Sequence, residues 1–119
     1  MGWDVHPESF REALVRLGRL GLPLLVTENG TYMTDDAHRW RFIARHLQAV
    51  AQAFQQGVPV IGYCYWSLLD NFEWAEGYRP RFGLIEVNYN NQQRRPRPSA
   101  ERYAQVCRSN RLTDLDFSD

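Results

Sequence analysis

Leu24-Leu25-Val26-Thr27-Glu28-Asn29-Gly30 decides the fold: an apolar run too short for a helix, bounded by Pro23 and a turn dipeptide, that delivers a carboxylate at its end. The pattern recurs downstream, where Val60-Ile-Gly-Tyr-Cys-Tyr-Trp66 leads into Ser-Leu-Leu-Asp-Asn-Phe-Glu73-Trp74. Both runs read as strands buried on both faces, as in a parallel sheet. Each places a Glu beyond its carboxyl end, where barrel enzymes assemble their sites. Asn29-Gly30 lets the chain turn away and leave Glu28 open.

Helical patterns alternate with the strands. Pro7 is a favourable first helical residue, and Phe10, Leu14, Leu17 and Leu20 follow at helical spacing until Gly21. A second, longer helix spans 35–56, with Trp40, Ile43, Leu47, Val50 and Phe54 at steps of three and four, Thr34 or Asp35 as cap and Gly57 as stop. Helix, strand, helix, strand implies parallel α/β architecture. Beyond it, 71–80 reads as an irregular loop and 82–89 as a short strand or hairpin arm. Arg94-Arg-Pro-Arg-Pro98 reads as a proline-broken connector, and Ser99 as the cap of a last helix through Tyr103 and Val106. Nothing marks a domain boundary within 1–119, and the polar tail 109–119 is expected to fray.

Composition excludes several functions. Fourteen basic and fourteen acidic side chains cancel, so neither nucleic acid nor a membrane surface is expected as partner. The amino terminus lacks a basic and apolar leader and no window of about 18 apolar residues occurs, which points to a cytoplasmic protein. Cys64, inside an apolar run, reads as a buried reduced thiol rather than half of a disulfide with Cys107. His6, His38 and His46 lack metal-ligand spacing and His46 reads as structural, so no metal site and no cofactor are expected. Glu73 beside Trp74 and Trp66 is a mixture suited to carbohydrate: flat faces for C–H surfaces, carboxylate acceptors for hydroxyls. Core packing is the competing reading for the two tryptophans.

Three motifs in order now carry a resemblance. Thr27-Glu28-Asn29-Gly30, the Trp66 to Trp74 stretch with Gly77-Tyr78, and Arg81-Phe82-Gly83-Leu84 resemble the carboxyl-terminal part of glycoside hydrolase family 1, the β-glucosidase family. Met1-Gly-Trp3 with Pro7-Glu8 resembles the approach to its sixth helix, Asp36, Arg39, His46 and Leu47 its seventh, and Arg95 to Ser99 with Tyr103 the approach to its last. The resemblance implies part of a (β/α)8 TIM barrel, namely strands 7 and 8 with their helices. It implies that Glu28 is the nucleophile of a retaining glycosidase acting on a β-glycoside, that Glu73 and Trp74 bind the sugar's hydroxyls, that Trp66 is its stacking platform and that Phe82 walls the same subsite.

The family's general acid/base lies in an Asn-Glu-Pro motif after the fourth strand, and no Asn-Glu-Pro occurs in this chain. Two parallel strands also leave unpaired edges. The expectation is an incomplete barrel that requires a partner, either an amino-terminal barrel fragment or further copies of this chain. Three functions follow: a glycosidase fragment active on completion, a non-catalytic sugar-binding module, or a self-associating barrel fragment without activity.

Overall fold

The computed structural model describes residues 4–112. The Met1-Gly-Trp3 part of the resemblance, and the tail beyond residue 112, lie outside the described residues. Helix α1 (Pro7–Gly18) leads to strand β1 (Leu24–Asn29), helix α2 (Asp36–Gln55) and strand β2 (Val60–Tyr65). A 3-10 turn (Trp74–Glu76), the hairpin of β3 (Ile85–Asn88) and β4 (Gln93–Pro96), and helix α3 (Pro98–Ser109) complete the order. β1 and β2 pair in parallel through the α2 crossover, while β3 and β4 pair antiparallel as a separate ribbon. The parallel α/β expectation holds.

Local chemistry explains these boundaries. Pro7 occupies the first turn of α1 with Glu8, and Arg16 lies in its last turn, so charge and helix dipole agree at both ends. Asp35 caps α2 by accepting from the Ala37 amide at 2.9 Å. Trp40, Phe42, Ile43, Ala44 and Leu47 of α2 pack with Tyr65 and Leu84 as one core cluster; Leu14, Val26, Ala53 and Val58 form a second. α1 approaches the entry to β2 so closely that a Cβ on Gly18 would stand 2.9 Å from a Val58 methyl.

Burial on both strand faces does not hold. Val26 faces the helices and is 8% exposed, whereas Leu25 on the other face is 52% exposed and Ile61 70%. The helices cover one side of the sheet and the other is open. Cys64 lies on the uncovered strand surface and is an exposed free thiol, not a buried one. The apolar stripe expected of the first helix is likewise half used: Leu14 is buried and Leu17 exposed, while Leu20 lies beyond the end of α1, which stops at Gly18, and is exposed.

Two further expectations change at the carboxyl end. The arginine-proline segment is no connector: Gln93 to Pro96 pair with Ile85 to Asn88, on an edge strand where proline's missing N–H is tolerated. Nor is Ser99 the cap of α3. Arg97 holds that position, and Asp36 at the start of α2 serves the helix end instead. Its carboxylate accepts from the Ser99 amide at 2.8 Å, the Ser99 hydroxyl at 2.6 Å and the Arg39 guanidinium at 2.7 Å. Arg39, fully buried, also donates to the carbonyls of Met33 and Arg81. The last helix does run through Tyr103 and Val106, and Asn110 closes it in the left-handed conformation. Among the described residues no helix is long and apolar enough to cross a membrane.

Burial alone would raise the Asp36 pKa, but its bonds to Ser99 and Arg39 outweigh that and hold it below the ordinary 3.8. A depressed carboxyl stabilises the fold above its unfolded-state value and loses that contribution as pH falls through the native one. Native stability is therefore expected to decline below a pH of about 4, and Asp36→Asn to be less stable at neutral pH with a flatter acid limb. Denaturant midpoints measured from about pH 2.5 to 6 check this; an acid limb of equal slope in both proteins would refute it.

Candidate active site

Glu28 owes its orientation to an irregularity in β1. Val26 is paired with Tyr63 and Asn29 with Tyr65, so β1 takes three steps where β2 takes two. One extra residue reverses the alternation of side chains. Asn29 thereby joins Val26 on the helix side, where its Oδ1 accepts from the Tyr63 hydroxyl at 2.7 Å. Glu28 turns to the opposite, open side and is exposed. Its carboxylate has no hydrogen-bond or ion-pair partner among the described residues.

Gly30 fixes Trp66 against this strand end. A Cβ on Gly30 would stand 1.8 Å from the Trp66 carbonyl oxygen, so only glycine permits the approach. The Trp66 amide donates to the Asn29 carbonyl at 3.0 Å, and the following peptide to Ser67 is cis. Glu28 and Trp66 thus share the carboxyl edge of the sheet, as the sequence indicated.

Glu73 and Trp74 stand on a separate, tightly closed turn. The Glu73 amide donates to the Gly77 carbonyl at 2.7 Å, and the Glu76 amide returns to the Glu73 carbonyl at 2.8 Å. Trp74, 82% exposed, has no core to fill. Among the described residues no hydrogen bond joins Glu73 or Trp74 to Glu28. Phe82 lies deeper, 3% exposed, its ring 6.4 Å from that of Tyr32 and its carbonyl accepting from the Tyr65 hydroxyl. Phe72, Tyr78 and Tyr89 form a ladder of tilted rings beside the turn, with the Arg81 guanidinium 4.8 Å from the Tyr89 ring centre.

Asp70 organises this loop and was not singled out from the sequence. Its carboxylate, without accessible surface, accepts from the Gly83 amide at 2.9 Å, the Val87 amide at 3.3 Å, and Arg97 at 3.1 and 2.9 Å, with Arg81 at 3.4 Å. Burial opposes its ionisation, yet Arg97 and the two amides prevail and keep its pKa below the ordinary range. One side chain so joins the loop after β2, the hairpin and the start of α3. A signal was present: an acidic residue within a motif read for its Glu and its tryptophans, and a cluster of arginines later in the chain. His46, in contrast, is structural as read, buried with its Nδ1 2.8 Å from the Phe42 carbonyl.

Most of this chain is similar to known proteins. The profile of glycosyl hydrolase family 1 matches residues 1–112. A β-galactosidase of Pyrococcus woesei is 40% identical over 114 residues, 95% of this chain and 22% of that protein. A bifunctional β-D-glucosidase/β-D-fucosidase of Bifidobacterium breve is 43% identical over 118 residues, 87% of this chain and 26% of that one. The family 1 β-glucosidase of Thermotoga maritima, solved with isofagomine lactam, superposes with a TM-score of 0.89 at 37% identity over 92% of this chain and 28% of its own. The chain thus spans about a quarter of the length of these relatives.

The two kinds of carboxylate predict opposite mutational behaviour. Asp70→Ala leaves the partly buried Arg97 without its partner, and the Gly83 and Val87 amides without their acceptor, and is expected to cost about 3 kcal/mol. Glu28→Gln, exposed and unpartnered, is expected to stay within about 0.5 kcal/mol of the unaltered chain. Urea unfolding followed by tryptophan fluorescence measures both; equal effects would undo the assignment of Asp70 as the structural member.

Proposed function

This chain belongs to glycosyl hydrolase family 1, and from that premise we propose that it supplies the nucleophile and sugar subsite of a retaining β-glycosidase, as the seventh and eighth βα units of a (β/α)8 barrel. The supporting observation is Glu28: an uncommitted carboxylate, turned by an extra residue onto the open face, at the carboxyl edge of two parallel strands. A nucleophile needs that freedom, because a carboxylate tied to an arginine is a poor attacking group. Glu28 attacks the anomeric carbon and forms a covalent glycosyl-enzyme that water then releases. Trp66 offers a face to the ring beside it. Glu73 and Trp74 accept from and donate to hydroxyls remote from the reacting bond, and Phe82 backs the loop between them. Such remote contacts orient the sugar and strengthen as it flattens towards the oxocarbenium-like transition state.

A retaining mechanism requires a second carboxyl group about 5–5.5 Å from the first, to protonate the leaving oxygen. Glu73 does not suit that role in this reading, since it is engaged with the sugar's distal side. The acid belongs to the polypeptide that completes the barrel, and residues 1–119 form one segment of that domain. The substrate class is a terminal β-D-glycoside; the galactosidase, glucosidase and fucosidase among the relatives keep the particular sugar open. The exposed Leu25 and Ile61 favour one alternative source of closure, further copies of this chain, each giving two strands.

A chimera tests the proposal: residues 4–112 replace the matching segment of the Thermotoga maritima β-glucosidase. Hydrolysis of an aryl β-glucoside is expected, falling more than roughly a thousandfold in Glu28→Gln. With Glu28→Ala, added azide should restore turnover and yield the α-glycosyl azide, since the anion attacks from the vacated face. Full activity in Glu28→Gln would end the proposal. Sedimentation of the chain alone decides the alternative, which requires a concentration-dependent multimer.

A further inference from the structure

Tyr63 is a half-buried residue that takes no part in the proposed reaction as described above, and its hydroxyl sits at a decisive place. It donates to Asn29 Oδ1 at 2.7 Å, across the same strand pair in which Val26 and Asn29 bracket the extra residue of β1. Thr27 and Glu28 both stand opposite Cys64, so two residues occupy the space of one. Without a restraint such a segment can shed the irregularity by sliding, and a slide of one residue sends every side chain to the other face. The restraint is Asn29, whose backbone carbonyl accepts from the Trp66 amide at 3.0 Å and whose side chain is held by Tyr63.

Tyr63 is itself fixed from α3. The Tyr103 hydroxyl donates to the Tyr63 carbonyl at 3.1 Å, and the two rings meet edge to face with centres 6.4 Å apart. Tyr63 also packs against both core clusters. A rigid ring on a packed wall thus presents one donor to one acceptor. With Oδ1 on the Tyr63 side, the Asn29 NH2 is turned away from Tyr63.

We infer that Tyr63 is a positioning residue for the proposed reaction: through Asn29 its hydroxyl locks the irregularity in β1 that aims Glu28 at the open face. The inference rests on the reading of Glu28 as nucleophile. It assigns no contact between Tyr63 and the sugar. Its consequence is a rate effect without a binding effect, since misplacing a nucleophile by about 1 Å costs up to about a hundredfold while the hydroxyl-binding groups of the loop stay in place.

Tyr63→Phe in the chimera described above removes one oxygen and keeps the ring. Turnover of the aryl β-glucoside is expected to fall about ten- to hundredfold in kcat, with the affinity for isofagomine lactam little changed. Asn29→Ala should give a similar loss, and the double variant no more than either alone. Ser99→Ala, which removes a buried hydroxyl that is bonded to Asp36 and does not touch Tyr63 or Asn29, should lower stability and leave kcat in place. In the chain by itself, Tyr63→Phe should accelerate hydrogen exchange at the backbone amides of residues 27–30. Unchanged kcat in Tyr63→Phe while Glu28→Gln is inactive would overturn the inference and leave the reading of Glu28 intact; an active Glu28→Gln overturns that reading first. Additive losses in the double variant, or unaltered exchange at 27–30, would also overturn the inference.

Discussion

A carboxylate removed from water must be surrounded by donors, and Asp70 meets that demand with groups from three separate parts of the chain. Val87 supplies an amide from the hairpin, Gly83 one from the segment that leads into it, Arg97 a guanidinium from the threshold of α3, and Arg81 a weaker charge from the loop. Each is far from Asp70 in sequence, so the bonds form only when loop, hairpin and helix have all docked. Such a centre does little for net stability compared with an apolar one, because desolvation consumes most of its Coulomb energy. What it imposes is geometry: Trp66 at one end of the loop and Glu73 at the other are carried on a backbone anchored midway between them.

Asp36 does the same on a smaller scale. It begins α2, yet its two oxygens serve the start of α3 and the buried Arg39, whose guanidinium reaches the carbonyls of Met33 and Arg81. The segments after β1 and after β2 are therefore cross-tied by charge rather than by an apolar core of their own. That arrangement suits loops, whose backbones have many polar groups and few side chains able to fill a core. It also leaves the apolar positions free to pack α2 against the sheet, where Trp40, Ile43 and Leu47 meet Tyr65 and Leu84.

Much of this was legible from residue patterns. The period of α2 and the apolar runs of both strands gave the parallel architecture, and the three motifs gave the family. Misreadings arose where a pattern was correct but its burial partner lay elsewhere. Leu24 to Thr27 has the composition of a doubly buried strand, and the structure shows it covered on one side, because apolar composition records what a strand is built to meet and not what this chain supplies. The same holds for Cys64, Leu17 and Leu20. Ser99 looked like a cap because serine before a helix usually is one; Asp36, 63 residues earlier, is a nonlocal competitor that no local rule contains. Asp70 and Tyr63 escaped for the same reason, as a buried ion pair and a side-chain restraint are set by contacts between distant segments.

The open face connects these points to chemistry. Period-two alternation would place Glu28 with Val26 among the helices, where an uncompensated carboxylate is costly. The extra residue in β1 exchanges that buried position for an exposed one and gives the helix side Asn29, a neutral group that Tyr63 can satisfy. Folding and reactivity are reconciled by one irregularity: the core receives an amide it can hydrogen-bond, and the carboxylate goes where a ligand can reach it. In water such a carboxylate is well solvated and weakly nucleophilic. Closure of the remaining barrel, on the reading proposed for this chain, would strip that water and place Glu28 in a low-dielectric cavity, where its charge acts strongly on a developing oxocarbenium. On that same reading the uncovered strand face, on which Leu25, Ile61 and Glu28 are exposed, would become the inner wall of the site.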